Sequence, residues 1–300
     1  MRVSETSKLE LCTEPIAGCD RENNCLESLT NHVESMIRIL RGPTRRLTLY
    51  AERDYLSLLE FLASGRYSLG NTSFIKELQN TSVLEILAVF HDLGKCTLFS
   101  QESLRENCTA PYHEILSATL LLAYLSFLGA DPPIAAVGPP VLAVLLHHHA
   151  MRSLDDVRHR IQNTQINTKS EDLECVLECL NSLLKVVDMP QANEFSSHIR
   201  SQGLEKYIKG LTKLINSLKA DDKKENHVLI RIYKSSILLT EVLSIADNFA
   251  ATKNRKYCKE AQVDGAQQIG ILHGFIRPLL NRELDREEIS MALKRALGIS

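Results

Sequence analysis

The chain has 300 residues, 44% of them apolar and 24% charged, so it is long enough to bury a substantial core. Its formal net charge of −2 argues against a protein that coats nucleic acid through bulk positive charge. Trp is absent and aromatic residues make up only 5%, which is atypical of proteins that stack single-stranded bases on aromatic platforms.

The N-terminal segment and the cysteines indicate a cytosolic protein. The first residues lack the basic start and apolar run of a secretory signal peptide. The eight cysteines contain no CxxC pair, which argues against a zinc ribbon. Cys175 and Cys179 lie four apart in a helical pattern and are predicted to be small buried apolar groups in a reduced cytoplasmic compartment.

Helical periodicity dominates the chain. An apolar stripe from Leu26 to Leu40 predicts a first helix that ends at Gly42. No segment alternates for long enough to require a sheet, so we predict one all-α domain over 1–300, with a core of about 25–255. Further helices are predicted at about 51–63, 82–93, 112–128, 140–150, 172–187, 203–218, 228–252, 267–280 and 285–297.

The stretch from Ile115 to Leu146 is apolar enough to require a test for a membrane hairpin. Asp131-Pro132-Pro133 and Gly138-Pro139-Pro140 interrupt it, leaving pieces of about 16 and 12 residues, shorter than the ~20 that span a bilayer. The sequence therefore predicts two buried core helices and no membrane contact.

His91 and Asp92 follow a helical segment, Val83 to Phe90, that is apolar on nearly all sides. Gly94 then fits a left-handed helix cap. A histidine and a carboxylate at the end of a buried helix are costly unless a partner satisfies them. This position therefore indicates a functional site.

Further histidines follow along the chain. His113 opens the next apolar helix, and Ser117 lies one turn later on the same face. His147, His148 and His149 follow an apolar helix directly. Neutral imidazole is the commonest metal ligand in proteins, and three in succession have little use in simple packing.

Two more polar residues face inward. His32 lies between Leu29 and Met36 on the first helix, where a satisfied core histidine is the alternative to a ligand. Asp247 borders the apolar face of a late helix, where a structural salt bridge is the alternative to a metal.

This order of motifs resembles the HD superfamily of metal phosphohydrolases, and most of all the stand-alone HD nuclease subunit of type I CRISPR systems. The resemblance covers about 25–255 and implies an HD-type helical domain with a buried dinuclear metal site. It implies one metal held by His32, His91, Asp92 and Asp247, and a second metal held by Asp92, His113 and two of the three consecutive histidines. His147 and His148 are the favoured pair.

The resemblance also assigns catalytic roles. Asp92 would bridge the two metals, Lys95 would reach towards the scissile phosphate, and Ser117 would support the site. The family often has glycine soon after paired histidines, where this chain has Ala150 after three. A phenylalanine–glutamine pair is here interrupted as Phe99-Ser100-Gln101, which leaves the role of Gln101 open.

Two divalent ions suit hydrolysis of an anionic phosphodiester. Ions about 3.5–4 Å apart lower the pKa of a bridging water and clamp the attacking and leaving oxygens. The mixed imidazole and carboxylate ligands suit Mn, Fe, Co or Ni, while Mg prefers more oxygen.

The resemblance implies a nuclease that degrades single-stranded DNA in CRISPR interference. The chain has no G-x-x-x-x-G-K-[ST] loop, so a separate helicase subunit and a crRNA-guided complex would be its partners. Cations near the site could guide DNA or simply be solvated: Arg152, Arg158, Arg160, Lys253, Arg255 and Lys256. The alternatives are an HD phosphohydrolase acting on a nucleotide or cyclic dinucleotide, and a catalytically idle docking subunit with a structural metal.

Overall fold

The computed structural model describes residues 14–20, 25–64, 78, 81–129, 134–148, 154–163, 170–184, 186–187, 189, 191–217 and 226–257. A hairpin of β1 (Ile16–Asp20) and β2 (Cys25–Ser28) precedes the helices. The helices of these ranges are α1 (Leu29–Arg41), α2 (Arg45–Ser64), α3 (Val83–Phe90), α4 (Leu98–Asn107), α5 (His113–Gly129), α6 (Ile134–Leu146), α7 (Leu154–Asn163), α8 (Ser170–Leu183), α9 (Ala192–Gln202), α10 (Glu205–Ser217) and α11 (Asn226–Tyr257), with a 3-10 helix at Leu93–Cys96.

The all-α prediction is confirmed for this part of the chain, with additions. The hairpin and the helices α4, α7 and α9 were not predicted from the sequence. The start of α4 did carry a signal, because Thr97 is its N-cap and accepts from the Ser100 N–H. The predicted helices 267–280 and 285–297 lie outside the described residues, and a single domain over the whole chain stays a prediction.

The core forms around the longest helix, α11, which packs along α6, α1 and α2. On the other side, α5 lies against both α6 and α10. Phe90, Tyr124 and Phe195 meet in an aromatic cluster with ring centroids 5.2–6.4 Å apart. This packing brings together the ends of α3 and α6, the starts of α1 and α5, and the C-terminal half of α11.

Helix α6 corrects a prediction, because it runs through the Gly138-Pro139-Pro140 break instead of starting there. Pro140 has no N–H for the Ala136 carbonyl, a bond that an α-helix requires. The buried Tyr55 hydroxyl donates to this carbonyl instead, with an O···O distance of 2.7 Å. A side chain from α2 therefore replaces the missing backbone donor.

Removing that hydroxyl by Tyr55→Phe should lower the free energy of unfolding by about 1–3 kcal/mol, because it leaves a buried carbonyl without a donor. In a Pro140→Ala background the cost should be smaller, since an alanine at that position would supply an N–H to the Ala136 carbonyl. Denaturant unfolding of the four proteins measures the difference. Equal costs in both backgrounds would contradict this explanation.

Helices α5 and α6 are both buried in the core, as predicted. Within the described ranges, no helix is long and apolar enough to cross a bilayer.

The cysteines differ from the prediction of isolated apolar groups. Cys19 of β1 is bonded to Cys108 at the end of α4, and Cys96 of the 3-10 helix is bonded to Cys179 of α8. Cys175 is also disulfide-bonded. Because disulfides are rare in a reducing cytosol, this pairing runs against the expected reduced state.

Candidate metal centre

Histidines and aspartates from several elements meet at the centre of the fold. They form two groups whose potential ligand atoms lie within 4.8 Å of one another in each group. One group is Asp92, His113, His147 and His148, and the other is His32, His91 and Asp247. The structure thus brings together all seven predicted metal ligands, while His149 lies outside the described residues.

Asp92 stands between the two groups. Its Oδ1 lies 3.1 Å from His113 Nε2 and 3.7 Å from His147 Nε2. Its Oδ2 faces the other way, 3.3 Å from His91 Nε2. A carboxylate whose two oxygens face different sets of imidazoles has the geometry of a bridging ligand.

Asp247 is the second carboxylate of the centre. Its Oδ1 lies 3.0 Å from His32 Nε2 and 3.9 Å from His91 Nε2. Its Oδ2 lies 3.7 Å from His148 Nδ1, in the other group. The two carboxylates therefore connect the groups from opposite sides.

Local backbone fixes the orientation of three imidazoles. The Nδ1 atoms of His91, His113 and His147 each lie 2.6–2.8 Å from the carbonyl oxygen three residues earlier. Because a carbonyl only accepts, each Nδ1 carries the proton, and each Nε2 presents a lone pair to the centre. His113 Nε2 also lies 3.1 Å from His148 Nε2.

Several buried polar atoms of the centre have no hydrogen-bond partner: His32 Nε2, His91 Nε2, His147 Nε2 and Asp92 Oδ1. Buried polar atoms almost always have a partner, so four convergent exceptions require an explanation. A cation at the centre would satisfy all four, and the donor set of imidazole and carboxylate is one that transition metals accept. The residues fit a bound metal.

The electrostatics of the centre also favour a cation. Burial alone would raise the pKa of Asp92, but the charge of Lys95, together with the neighbouring histidines, outweighs burial and holds the pKa well below its ordinary value. The pKa of Asp247 is lowered too, because the close approach of His32 outweighs the effect of burial. Both carboxylates therefore remain anionic. Burial and the neighbouring His147 lower the pKa of His148, which keeps it neutral.

His32 is held by a residue that the sequence did not single out. Burial lowers its pKa, but the neighbouring carboxylates of Asp247 and Glu27 outweigh burial and raise the pKa to about 9. Glu27 lies on β2, and its Oε1 is 2.6 Å from His32 Nδ1. Asn254 of α11 donates to the same oxygen at 2.8 Å. Metal binding would displace the proton from His32 Nε2.

Replacing Glu27 by Gln should weaken metal binding about 10–100-fold, because the buried carboxylate orients His32 and strengthens it as a ligand. Calorimetric titration with Mn²⁺ measures the change. Glu34→Gln is the matched control, since Glu34 lies on α1 but pairs with Arg38 at the surface. Equal affinity in the two variants would contradict this role.

Lys95 contacts the centre through Asp92. Its Nζ donates to Asp92 Oδ2 at 2.7 Å and to the Ala17 carbonyl of β1 at 2.8 Å. Gln101 fastens β1 in place, donating to the Ile16 carbonyl and accepting from the Ile16 N–H. Its amide also donates to the Lys95 carbonyl at 2.8 Å. Gln101, whose role the sequence left open, therefore positions both the lysine and the strand behind it.

Gly94 has a different role from the one predicted. Helix α3 ends before it, and Gly94 lies inside the 3-10 helix and lacks the positive φ of a left-handed cap. A Cβ there would lie 2.1 Å from the His113 carbonyl oxygen. Ser117 accepts a hydrogen bond from the Gly94 N–H at 2.8 Å. Glycine thus permits close contact with α5, and Ser117 supports that contact.

The centre opens to solvent at one side. The side chain of His148 is 33% exposed, whereas those of Asp92 and His91 are at most 2% exposed. Near this side, Arg160 of α7 lies 3.6 Å from Glu114, which follows His113. Arg158 and Lys253 are exposed, while Arg152 and the side chains of Arg255 and Lys256 lie outside the described residues.

No protein-family model and no curated protein matches the chain. Among solved structures, it is similar to the CRISPR-associated Cas3 HD domain protein of Methanocaldococcus jannaschii. The identity is 16% and the TM-score 0.46, over 72% of this chain and 95% of that chain.

Proposed function

We propose that the protein is a metal-dependent hydrolase of phosphodiester bonds, with single-stranded DNA as its substrate. The observation that carries this proposal is the position of Asp92, whose two oxygens face separate groups of histidines. Two divalent ions held by these groups suit phosphodiester hydrolysis. Mn, Fe, Co and Ni suit the imidazole-rich ligands, and Mg suits them less.

The side chains of the centre would bind the metal ions and position the substrate. His32, His91 and Asp247 would bind one ion, and His113, His147 and His148 the other, with Asp92 shared. Bound metal supplies an activated water and neutralises charge on the phosphate. Lys95 balances the charge of Asp92 and lies at the edge of the same site, where it adds positive charge for the substrate.

The choice of substrate comes from the motif order, which resembles the HD nucleases of CRISPR systems, and from the exposed side at His148. A single strand can bend its phosphate towards a recessed centre more readily than a duplex. A helicase subunit and a crRNA-guided complex would supply that strand in the cytoplasm.

The second candidate is hydrolysis of a nucleotide or cyclic dinucleotide at the same centre. The near-complete burial of Asp92 and His91 favours it, because small ligands are enclosed more fully than strands. An idle docking subunit is a weaker alternative, since all seven donors converge in the centre.

The test compares purified protein on labelled single-stranded, duplex and forked DNA, and on nucleoside triphosphates and cyclic dinucleotides, across Mn²⁺, Mg²⁺, Co²⁺, Ni²⁺ and Fe²⁺. We expect metal-dependent cleavage of the single strand ahead of the duplex. Rapid hydrolysis of a nucleotide without DNA cleavage would establish the second candidate. No hydrolysis with any metal or substrate would overturn both.

The three consecutive histidines should differ in their tolerance of substitution. His147→Ala and His148→Ala should each lower kcat/KM about 100-fold or more, because each removes a donor from the second group. His149→Ala should be mild. Cleavage rates of the three variants, with metal content measured in parallel, check this assignment. Equal tolerance of all three substitutions would show that the three consecutive histidines are not part of the site.

A further inference from the structure

A cavity that is separate from the metal centre lies between α2 and the N-terminal third of α11. Its volume is about 630 Å³, within the range typical of ligand sites. Arg46 and Arg53 of α2 line it, together with Arg231 and Lys234 of α11. We call this cavity the cationic groove.

Cations outnumber carboxylates among the described residues that line the cationic groove. Asp54 is its carboxylate, and it already accepts hydrogen bonds from Lys234 and from the Ser235 hydroxyl. Those bonds hold α2 against α11. Among the described residues, four cations and one carboxylate line the groove of a chain whose formal net charge is −2, so positive charge is concentrated here against the overall balance.

The arginines are arranged for an extended anion. Arg46, Tyr50 and Arg53 lie at i, i+4 and i+7, so they share one face of α2 and span about 10 Å. Arg53 is exposed and has no ion-pair partner among the described residues. Arg231 stacks on Phe61 with its guanidinium 4.2 Å from the ring centre. The stacking covers one face of the guanidinium and leaves the N–H groups at its edge available to an anion.

We propose that the cationic groove binds the phosphate backbone of a single-stranded nucleic acid. Arginines spaced along one helix face suit successive phosphates, and the half-buried Tyr50 between two of them offers an aromatic face to a base. Lys234 and Asp247 are separated by about 20 Å along α11 and by about half a turn around it. The groove therefore holds a strand at a distance from the metal centre and does not cleave it.

This inference takes nucleic acid as the ligand from the proposed function, and takes the location from the arginines alone. The test measures fluorescence anisotropy of labelled oligo(dT) with the full-length protein in chelator, so that no cleavage occurs. The double variant Arg53→Ala/Arg231→Ala should bind about tenfold more weakly. The logarithm of its binding constant should depend less steeply on the logarithm of the salt concentration. The slope should change by about 1.4, because each phosphate contact to a single strand contributes about 0.7.

Three controls make the result specific. Arg200→Ala removes an exposed arginine that pairs with Glu174 on a distant helix, and it should leave binding unchanged. Arg53→Lys/Arg231→Lys keeps the charge and should keep the slope. Arg53→Ala alone, at an exposed position, should give about half of the slope change, which separates lost contacts from misfolding.

Unchanged affinity and slope in the double variant would overturn the inference, as would equal weakening by Arg200→Ala. Displacement of the strand by a mononucleotide as readily as by an unlabelled oligonucleotide would also overturn it, because a single phosphate would then suffice. Groove binding in a protein that cleaves no DNA would uphold this inference while the proposed function failed. Cleavage of DNA without binding in the groove would uphold the proposed function and overturn this inference.

Discussion

Asp92→Asn should abolish hydrolysis, lowering kcat/KM by about 10⁴-fold or more, while the helical fold remains. The amide keeps the shape of the side chain but removes the charge that Asp92 would share between a cation beside His113 and a cation beside His91. At least one metal should be lost from the protein. Rate measurements with metal analysis by mass spectrometry test both parts.

The choice of Asn over Ala matters because Lys95 is also buried. Asp92→Ala would leave the Lys95 ammonium with only the Ala17 carbonyl, and a lone buried charge destabilises the fold. Circular dichroism of both variants separates lost chemistry from lost folding. Full metal occupancy with normal activity in Asp92→Asn would refute the bridging role. His91→Ala should likewise abolish activity.

Gly94→Ala should be the most disruptive single-methyl change at the site. The new Cβ would meet the His113 carbonyl oxygen at 2.1 Å, and backbone atoms at the start of α5 have little room to yield. We expect a loss of about 3 kcal/mol in the free energy of unfolding. The 3.1 Å approach of His113 to Asp92 would be lost with it, so metal affinity should fall as well.

Gly138→Ala provides the matched control. Gly138 lies within α6, where a Cβ would meet Ile232 at an ordinary 3.6 Å. Alanine is favoured over glycine inside a helix by about 1 kcal/mol, so this variant should be neutral or more stable. Denaturant unfolding and Mn²⁺ titration of both variants measure the contrast. Similar stability of the two variants would show that the 3-10 turn can move away from α5 at little cost.

The helix positions of these residues marked them as candidates, and the resemblance to HD phosphohydrolases implied their roles as ligands. His91 and Asp92 follow an apolar helix, and His147 and His148 follow another. Asp247 and His32 lie on inward faces. Their roles as ligands stay predictions, since the geometry shows convergence and not a bound ion.

The supporting contacts were missed because they come from a segment without such a pattern. The hairpin of β1 and β2 supplies the Ala17 carbonyl to Lys95 and the Glu27 carboxylate to His32. Its strands have five and four residues, too few for alternation to be recognised. A backbone carbonyl also carries no residue identity, so sequence reasoning had no means of assigning Ala17 to the site.

Proline in α6 misled the prediction for a related reason. Pro139 and Pro140 normally end a helix, because a lost N–H leaves a carbonyl without a donor. The compensating donor, Tyr55, is distant in sequence, on α2. Local propensity cannot include such a donor, so the helix boundary was placed six residues too late.

The bonds from three imidazole Nδ1 atoms to nearby carbonyls have a consequence for metal loading. Each bond closes within three residues at the end of a helix or in the turn before one, so local backbone structure sets the ring orientation. Zinc fingers, in contrast, fold only when the ion arrives. Here the chain can fold first and take up its ions afterwards. A bound ion could then be exchanged for another without unfolding, and the metal available in the surroundings would decide which ion the centre holds.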